Sequence, residues 1–97
     1  MSPPRLTIVV PTFNERGNIA ELVRRVDAAF GPAGGWEMVF VDDNSPDATA
    51  ELVKQLAQSD PRVRCLRRVH RRGLSGACIE GMLSSSAPYV AVMDADL

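Results

Sequence analysis

Four runs rich in β-branched and aliphatic residues alternate with three segments whose apolar residues recur at helical spacing, and this alternation restricts the fold more than any other feature. Leu6-Thr7-Ile8-Val9-Val10, stopped by Pro11, reads as a buried parallel strand. Ile19, Leu22, Val23 and Val26 then fall at i, i+3, i+4 and i+7, one face of a helix. Asn18 and Glu21 form a weak capping pair at its start, and Gly31, Pro32, Gly34 and Gly35 close it in a turn. Trp36-Glu37-Met38-Val39-Phe40-Val41 predicts a second strand. Ser45-Pro46-Asp47 predicts the next helix start, with the serine hydroxyl as cap, proline preset in φ and aspartate at the positive end of the dipole. Ala48, Leu52, Val53 and Leu56 supply that helix's apolar face. Asp60-Pro61 breaks it before a short, arginine-rich third strand over 63–69. Leu74, Ala77, Cys78, Gly81 and Met82 are again helix-spaced, and Pro88 opens a fourth strand over 89–93.

A β-α-β-α-β-α-β order implies an α/β fold: a parallel sheet with right-handed crossovers and helices on both faces. The predicted strand order is 3-2-1-4, half of a doubly wound sheet, with its topological switch point between strands 1 and 4. Ligands bind such sheets outside the carboxyl ends of the strands. Three polar segments stand there: residues 11–15, 42–45 and 94–96.

Composition narrows the class. The 97 residues carry 11 Lys plus Arg against 12 Asp plus Glu, a net charge of −1, with 24% charged and 45% hydrophobic residues. Those values exclude a disordered, collagenous or coiled-coil chain and give no overall drive toward nucleic acid. At this length one domain is expected. The longest apolar run is far short of the ~18–20 residues that span a bilayer. Cys65 and Cys78 lack metal-ligand spacing and are too few for a disulfide framework, which suits a reducing, cytoplasmic setting. Both are expected to be small core residues.

Asp94-Ala95-Asp96 brings two acids at i and i+2 to the end of a strand. Paired carboxylates suit Mg²⁺ or Mn²⁺, which prefer oxygen ligands and often bridge to substrate phosphates; as turn residues they would instead accept backbone N–H bonds. One carboxylate of Asp42-Asp43 is placed to accept hydrogen bonds from the N–H edge of a ligand such as a nucleobase. Asp42 is better read as part of the turn into the helix. Residues 11–15 form either one wall of a base pocket, with Phe13 as the apolar surface, or an ordinary strand-to-helix turn. Arg62, Arg64, Arg67, Arg68, Arg71 and Arg72 hold six of the eleven cations with no acid among them. For most of these a solvated, basic sheet edge is expected, with one or two reaching phosphates. His70 reads as a solvated loop residue. Gly73 and Gly76 would let the third helix approach a neighbour or an anion closely.

Together these residues resemble the family-2 glycosyltransferases with the nucleotide-diphospho-sugar transferase (GT-A) fold, nearest the dolichol-phosphate and polyprenol-phosphate mannosyltransferases. The strings that carry the likeness are Val10-Pro-Thr-Phe-Asn-Glu-Arg-Gly-Asn-Ile19, Val41-Asp-Asp-Asn-Ser-Pro-Asp47, Arg72-Gly-Leu-Ser-Gly-Ala77 and Val92-Met-Asp-Ala-Asp-Leu97. They run in the family's order over nearly the whole chain. The resemblance implies a Rossmann-like three-layer half of a GT-A fold. It implies that Pro11, Phe13, Glu15, Val41 and Asp43 line a nucleotide pocket and that Asp94, Ala95 and Asp96 lie at the diphosphate. Asp94 and Asp96 would stand close to a Mg²⁺ or Mn²⁺ ion. Phe13 stands where the family usually has tyrosine, so that hydroxyl's hydrogen bond is missing. Gly-Leu-Ser-Gly-Ala replaces the usual Gly-Leu-Gly-Thr-Ala.

The implied reaction is inverting, metal-dependent transfer of a hexose, mannose from GDP-mannose by closest likeness, to a polyprenyl or dolichyl phosphate. A UDP-sugar donor with a hydroxyl acceptor is the alternative within the family, and a non-catalytic nucleotide- or partner-binding fragment the alternative outside it. A phosphorylation-dependent receiver module ranks low, because its acidic pair would follow strand 1. Family members continue past the acidic motif into an acceptor half, so the chain is expected to be the donor-binding half, inactive alone and without an assignable catalytic base. Strand 4 would then be an open edge through which two copies could pair. A cytoplasmic protein, peripheral at a membrane face, is the expected setting.

Overall fold

The computed structural model describes residues 3–31, 34–69 and 73–96. Pro32, His70, Arg71, Arg72 and Leu97, named above, lie outside the described residues. The elements are β1 (Leu6–Thr12), α1 (Ile19–Phe30), β2 (Trp36–Asp42), α2 (Thr49–Ser59), β3 (Val63–Arg67), α3 (Leu74–Leu83) and β4 (Tyr89–Val92). All strand pairs are parallel, in the predicted order β3-β2-β1-β4. No helix among the described residues is long and apolar enough to cross a membrane.

The period of two along each strand sorts the core into two layers. Ile8, Val10, Met38 and Phe40 face α1 and α2 and pack with Ile19, Leu22, Val26 and Val53. Val9, Val39 and Val41 point to the other face, where Ala77 of α3 meets them. Only Ala77 and Gly81 of the expected α3 face are buried; Leu74 and Met82 are exposed. The reason is separation. A Cβ on Gly81 would lie 2.3 Å from Val9 Cγ1, so the helix sits too close to the sheet for larger side chains between them.

Several local expectations are corrected. Asn18 precedes α1 as predicted but makes no side-chain cap; its Nδ2 donates to Glu15 Oε2 at 3.2 Å. Glu21 is drawn to Arg24 and Arg25 instead, and these two guanidinium hydrogen bonds pull its pKa down to about 2. α2 begins at Thr49 rather than beside Pro46. Ser45 is engaged by Asp42, Ala48 takes the left-handed conformation (φ 67°), and Asp47 Oδ1 accepts the Thr49 N–H at 3.1 Å. β3 ends at Arg67, and the Arg68 N–H makes the last bond, to the Asp42 carbonyl at 2.7 Å, where β2 itself ends.

The described arginines of the basic stretch are each paired with acids. Arg62 pairs with Asp27 and Asp60, Arg64 with Glu37, and Arg67 with Glu51. Arg68 is buried, 3% exposed, against Asp43 and Glu80. Asp60 is a near neighbour of Arg62, but the other acids come from elements at least 12 residues away, which a count along residues 62–72 does not show. Cys65 packs against the core, and burial pushes its thiol up to about 11, as suits an inert small residue.

Candidate functional site

Parallel pairing sends β1, β2 and β4 out of the same edge of the sheet. Val9 is level with Val39 on one side and Val92 on the other. Asp94 and Val41, each two residues further on, therefore leave along one rim with Pro11. The N–H of Met93 still bonds the Val9 carbonyl at 3.0 Å, which holds the start of the acidic segment in register. The three polar strand exits thus stand side by side, as the switch-point rule expects.

Asp42 holds two of these exits together from inside. It is fully buried, and a buried carboxylate is tolerated only when hydrogen-bonded. Its Oδ1 accepts from Thr12 Oγ1 (2.9 Å) and Ser45 Oγ (2.5 Å), and its Oδ2 from the Ser45 N–H (2.9 Å). Ser45 Oγ in turn accepts the Asn14 N–H at 2.8 Å, and Thr49 Oγ1 accepts that of Glu15 at 3.2 Å. The β1–α1 and β2–α2 loops are therefore stitched together by side chains of the second. Asn14 and Asn44 both sit at positive φ (57° and 59°), a backbone state asparagine tolerates better than most residues.

In front of this scaffold lies a pocket of about 170 Å³ lined by Pro11, Thr12, Phe13, Asp43 and Leu74. Phe13, 42% exposed, and Leu74 offer apolar surface, and Asp43 is the charged group. Its Oδ2 accepts the Gly73 N–H at 3.1 Å, and its Oδ1 lies 3.3 Å from Arg68 Nε. Asp42 and Asp43 have thus divided the labour along the strand's alternation: one braces the loops and its neighbour faces the pocket.

The other residues named from the sequence are not among those that line it. Val41 is fully buried and packs toward α3, so its side chain stands behind the pocket rather than on its surface. Glu15 is part-buried in the β1–α1 loop, joined to Asn18 and Thr49. Ala95 is 4% exposed and anchored in the core, which leaves Asp94 and Asp96 on either side of it exposed. Leu74 and Arg68 are the residues that sequence reasoning missed. Leu74 reads as an ordinary helix-face residue, and Arg68 is masked by the arginines around it.

The donor set suits a hard divalent cation in one particular way. No cluster of three or more His, Cys, Asp or Glu occurs among the described residues. Asp94 and Asp96 make no hydrogen bond or ion pair to another described residue. Two free carboxylates, with phosphate oxygens and water completing the shell, match how Mg²⁺ is commonly held at phosphate substrates.

The sequence model described as glycosyl transferase family 2 matches residues 7–97. The chain belongs to that family. It is 42% identical over 93 residues to a dolichol-phosphate mannosyltransferase of Pyrococcus furiosus, covering 96% of this chain and 26% of the relative. A dolichol-phosphate mannosyltransferase of Saccharomyces cerevisiae is 40% identical, with 94% and 35% covered. An undecaprenyl-phosphate 4-deoxy-4-formamido-L-arabinose transferase of Salmonella paratyphi A is 33% identical, with 96% and 29% covered. Among solved structures, the mannosyltransferase PcManGT of Pyrobaculum calidifontis, in complex with GDP-Man and Mn²⁺, superposes with a TM-score of 0.82 at 30% identity, covering 99% of this chain and 28% of that one. S. aureus TarS 1-349 in complex with UDP shares the fold at a TM-score of 0.80 and 22% identity, with 95% and 27% covered. The chain spans about a quarter to a third of the length of the relatives it matches.

Proposed function

We propose that this family-2 chain is the donor-binding part of a glycosyltransferase that moves a hexose from a nucleoside diphosphate to a polyprenyl phosphate. What supports this reading is that parallel register sends the strand exits that carry Phe13, Asp43 and Asp94 out of one edge of the sheet. An apolar wall, a base-facing carboxylate and a pair of free acids are what a nucleotide diphosphate requires. In this reading Pro11, Phe13 and Asp43 form the surface of the nucleotide side, with Val41 supporting it from behind and Glu15 in the adjoining loop, and Asp94, Ala95 and Asp96 form the diphosphate side.

Asp43 accepts an N–H of the base, while Phe13 and Leu74 cover its apolar faces and exclude water. Asp94 and Asp96 would hold Mg²⁺ or Mn²⁺, which would supply positive charge to the diphosphate as it leaves. A lipid phosphate is already anionic near neutral pH, so that acceptor needs no general base from these residues. This half then contributes positioning and the ligands for charge stabilisation. The names of the relatives support the acceptor class more firmly than the donor. Those from P. furiosus, yeast and Salmonella share a polyprenyl phosphate, whereas the sugar is mannose in the first two and a substituted arabinose in the third. GDP-mannose is the donor we favour, on the 42% identity and on the GDP-Man complex of the structural relative. Calorimetric titration with GDP and with UDP in the presence of Mn²⁺ tests the assignment. Asp43→Asn is expected to weaken nucleotide binding by about tenfold or more, the scale of a charge-assisted hydrogen bond. GDP affinity equal in the wild-type and Asp43→Asn chains would remove Asp43 from the site.

A further inference from the structure

We propose that Arg68 is a positioning residue for the nucleotide pocket, acting through Asp43 and the start of α3 without touching the ligand itself; this rests on the reading of Asp43 just given. A buried guanidinium is costly unless its charge is matched, and arginine cannot escape by deprotonating. The Arg68 side chain is 4% exposed and makes no part of the pocket lining. Its Nε lies 3.3 Å from Asp43 Oδ1 and 2.9 Å from Glu80 Oε2, and its Nη1 donates to the Gly73 carbonyl at 3.2 Å. Gly73 donates its own N–H to Asp43 Oδ2 at 3.1 Å. Arg68, Gly73 and Asp43 therefore close a triangle in which each member touches the other two.

Two glycines make room for it. Gly73 has φ +120°, a conformation that side-chain-bearing residues rarely adopt, and it turns the chain so that its N–H and carbonyl serve different partners. A Cβ on Gly76 would lie 2.9 Å from Arg68 Nη2 and 3.2 Å from Nη1, so the guanidinium occupies the space a side chain would fill. The close approach expected of this glycine pair is thus made at Gly76, to a buried cation, while Gly73 gives its N–H to the Asp43 carboxylate. The main chain of Arg68 is fixed as well, through its N–H on the Asp42 carbonyl.

The consequence for the pocket is one of orientation. Asp43 Oδ1 is buried on the Arg68 side and Oδ2 accepts the Gly73 N–H, so the carboxylate is fixed where it lines the pocket. Leu74, the residue after Gly73, lines the same pocket. One buried cation thereby sets both the acceptor and the apolar surface that a base would meet.

The test is a double-mutant cycle read by calorimetric titration with GDP and Mn²⁺, with thermal midpoints measured alongside. Arg68→Met is expected to weaken binding by about tenfold, and Arg68→Lys to recover only part, since one ammonium cannot span Asp43 and the Gly73 carbonyl together. Arg68→Met added to Asp43→Asn is expected to cost less than the product of the two single losses, because the route through Asp43 is already disabled and only the one through Gly73 and Leu74 remains. Should Arg68→Met fail to fold, Gly76→Ala crowds the guanidinium while keeping its charge, and is expected to weaken binding in the same direction. Affinity unchanged in Arg68→Met or Gly76→Ala, with Asp43→Asn weakened, would overturn the proposal and leave the Asp43 assignment standing. Losses that multiply in the double variant would also overturn it. Unchanged affinity in Asp43→Asn itself would instead remove the reading on which it rests.

Discussion

Thr12 Oγ1 donates to the buried Oδ1 of Asp42 at 2.9 Å, tying the exit of β1 to the exit of β2 directly behind the pocket. Because the neighbouring Asp43 faces that pocket, adjacent acids should respond oppositely to removal. Asp42→Ala strands the Ser45 N–H and two hydroxyls and is expected to cost about 2–4 kcal/mol in denaturant unfolding. Asp43→Asn is isosteric and half as deeply committed, so its stability loss should be the smaller of the two.

Gly81 brings α3 close against Val9 of β1. Gly81→Ala drives a methyl to 2.3 Å from Val9 Cγ1 and should destabilise the fold by about 1–3 kcal/mol, against a helix-propensity gain of up to about 1 kcal/mol. Adding Val9→Ala should return part of the loss. Chemical denaturation of the two single variants and the double variant checks this.

Acid sensitivity should be traceable to Glu37. Burial raises its pKa, but hydrogen bonds from Arg64 and Thr7 outweigh that and hold it below the ordinary glutamate value. The folded-state pKa is the depressed one, so this contribution is fully present above the ordinary value. It is lost as pH falls through the lowered one. Glu37→Gln should therefore reduce stability near neutrality by about 1–2 kcal/mol and flatten the stability–pH curve below about pH 4.5. Unfolding midpoints measured between neutral and acid pH supply the comparison.

β4 should be the first strand to open. All four of its residues are exposed, and it pairs only with β1, whereas β1 lies between two strands and carries Val9 and Val10 at 0% exposure. In native-state hydrogen exchange its amides, with that of Met93, should exchange well before those of β1. Loss of that order would mean the acidic segment is held more firmly than its pairing implies.

The element order and the 3-2-1-4 sheet were legible because hydrophobic period and right-handed crossover leave few alternatives. The strand exits were legible for the same reason: parallel strands must end on one rim. Local capping was not. Ser45 is a good helix cap by type, yet the buried Asp42 competes for it, and only the tertiary arrangement reveals that competition. Arg68 was hidden by its neighbours, since its acids lie 25 residues upstream at Asp43 and 12 downstream at Glu80. Which of the helix-spaced residues of α3 are buried was not legible, because the spacing does not show that Gly81 lies close against Val9.

The central claim is that the exits of β1, β2 and β4 form one site for a nucleotide diphosphate with a divalent cation at Asp94 and Asp96. Its most direct test is GDP affinity by calorimetry with and without Mn²⁺, in the wild-type chain and in the Asp94→Asn/Asp96→Asn variant. The account predicts wild-type affinity at least about tenfold higher with the ion, and a variant indifferent to it. Wild-type affinity independent of Mn²⁺, or a variant that keeps the full metal response, would contradict it.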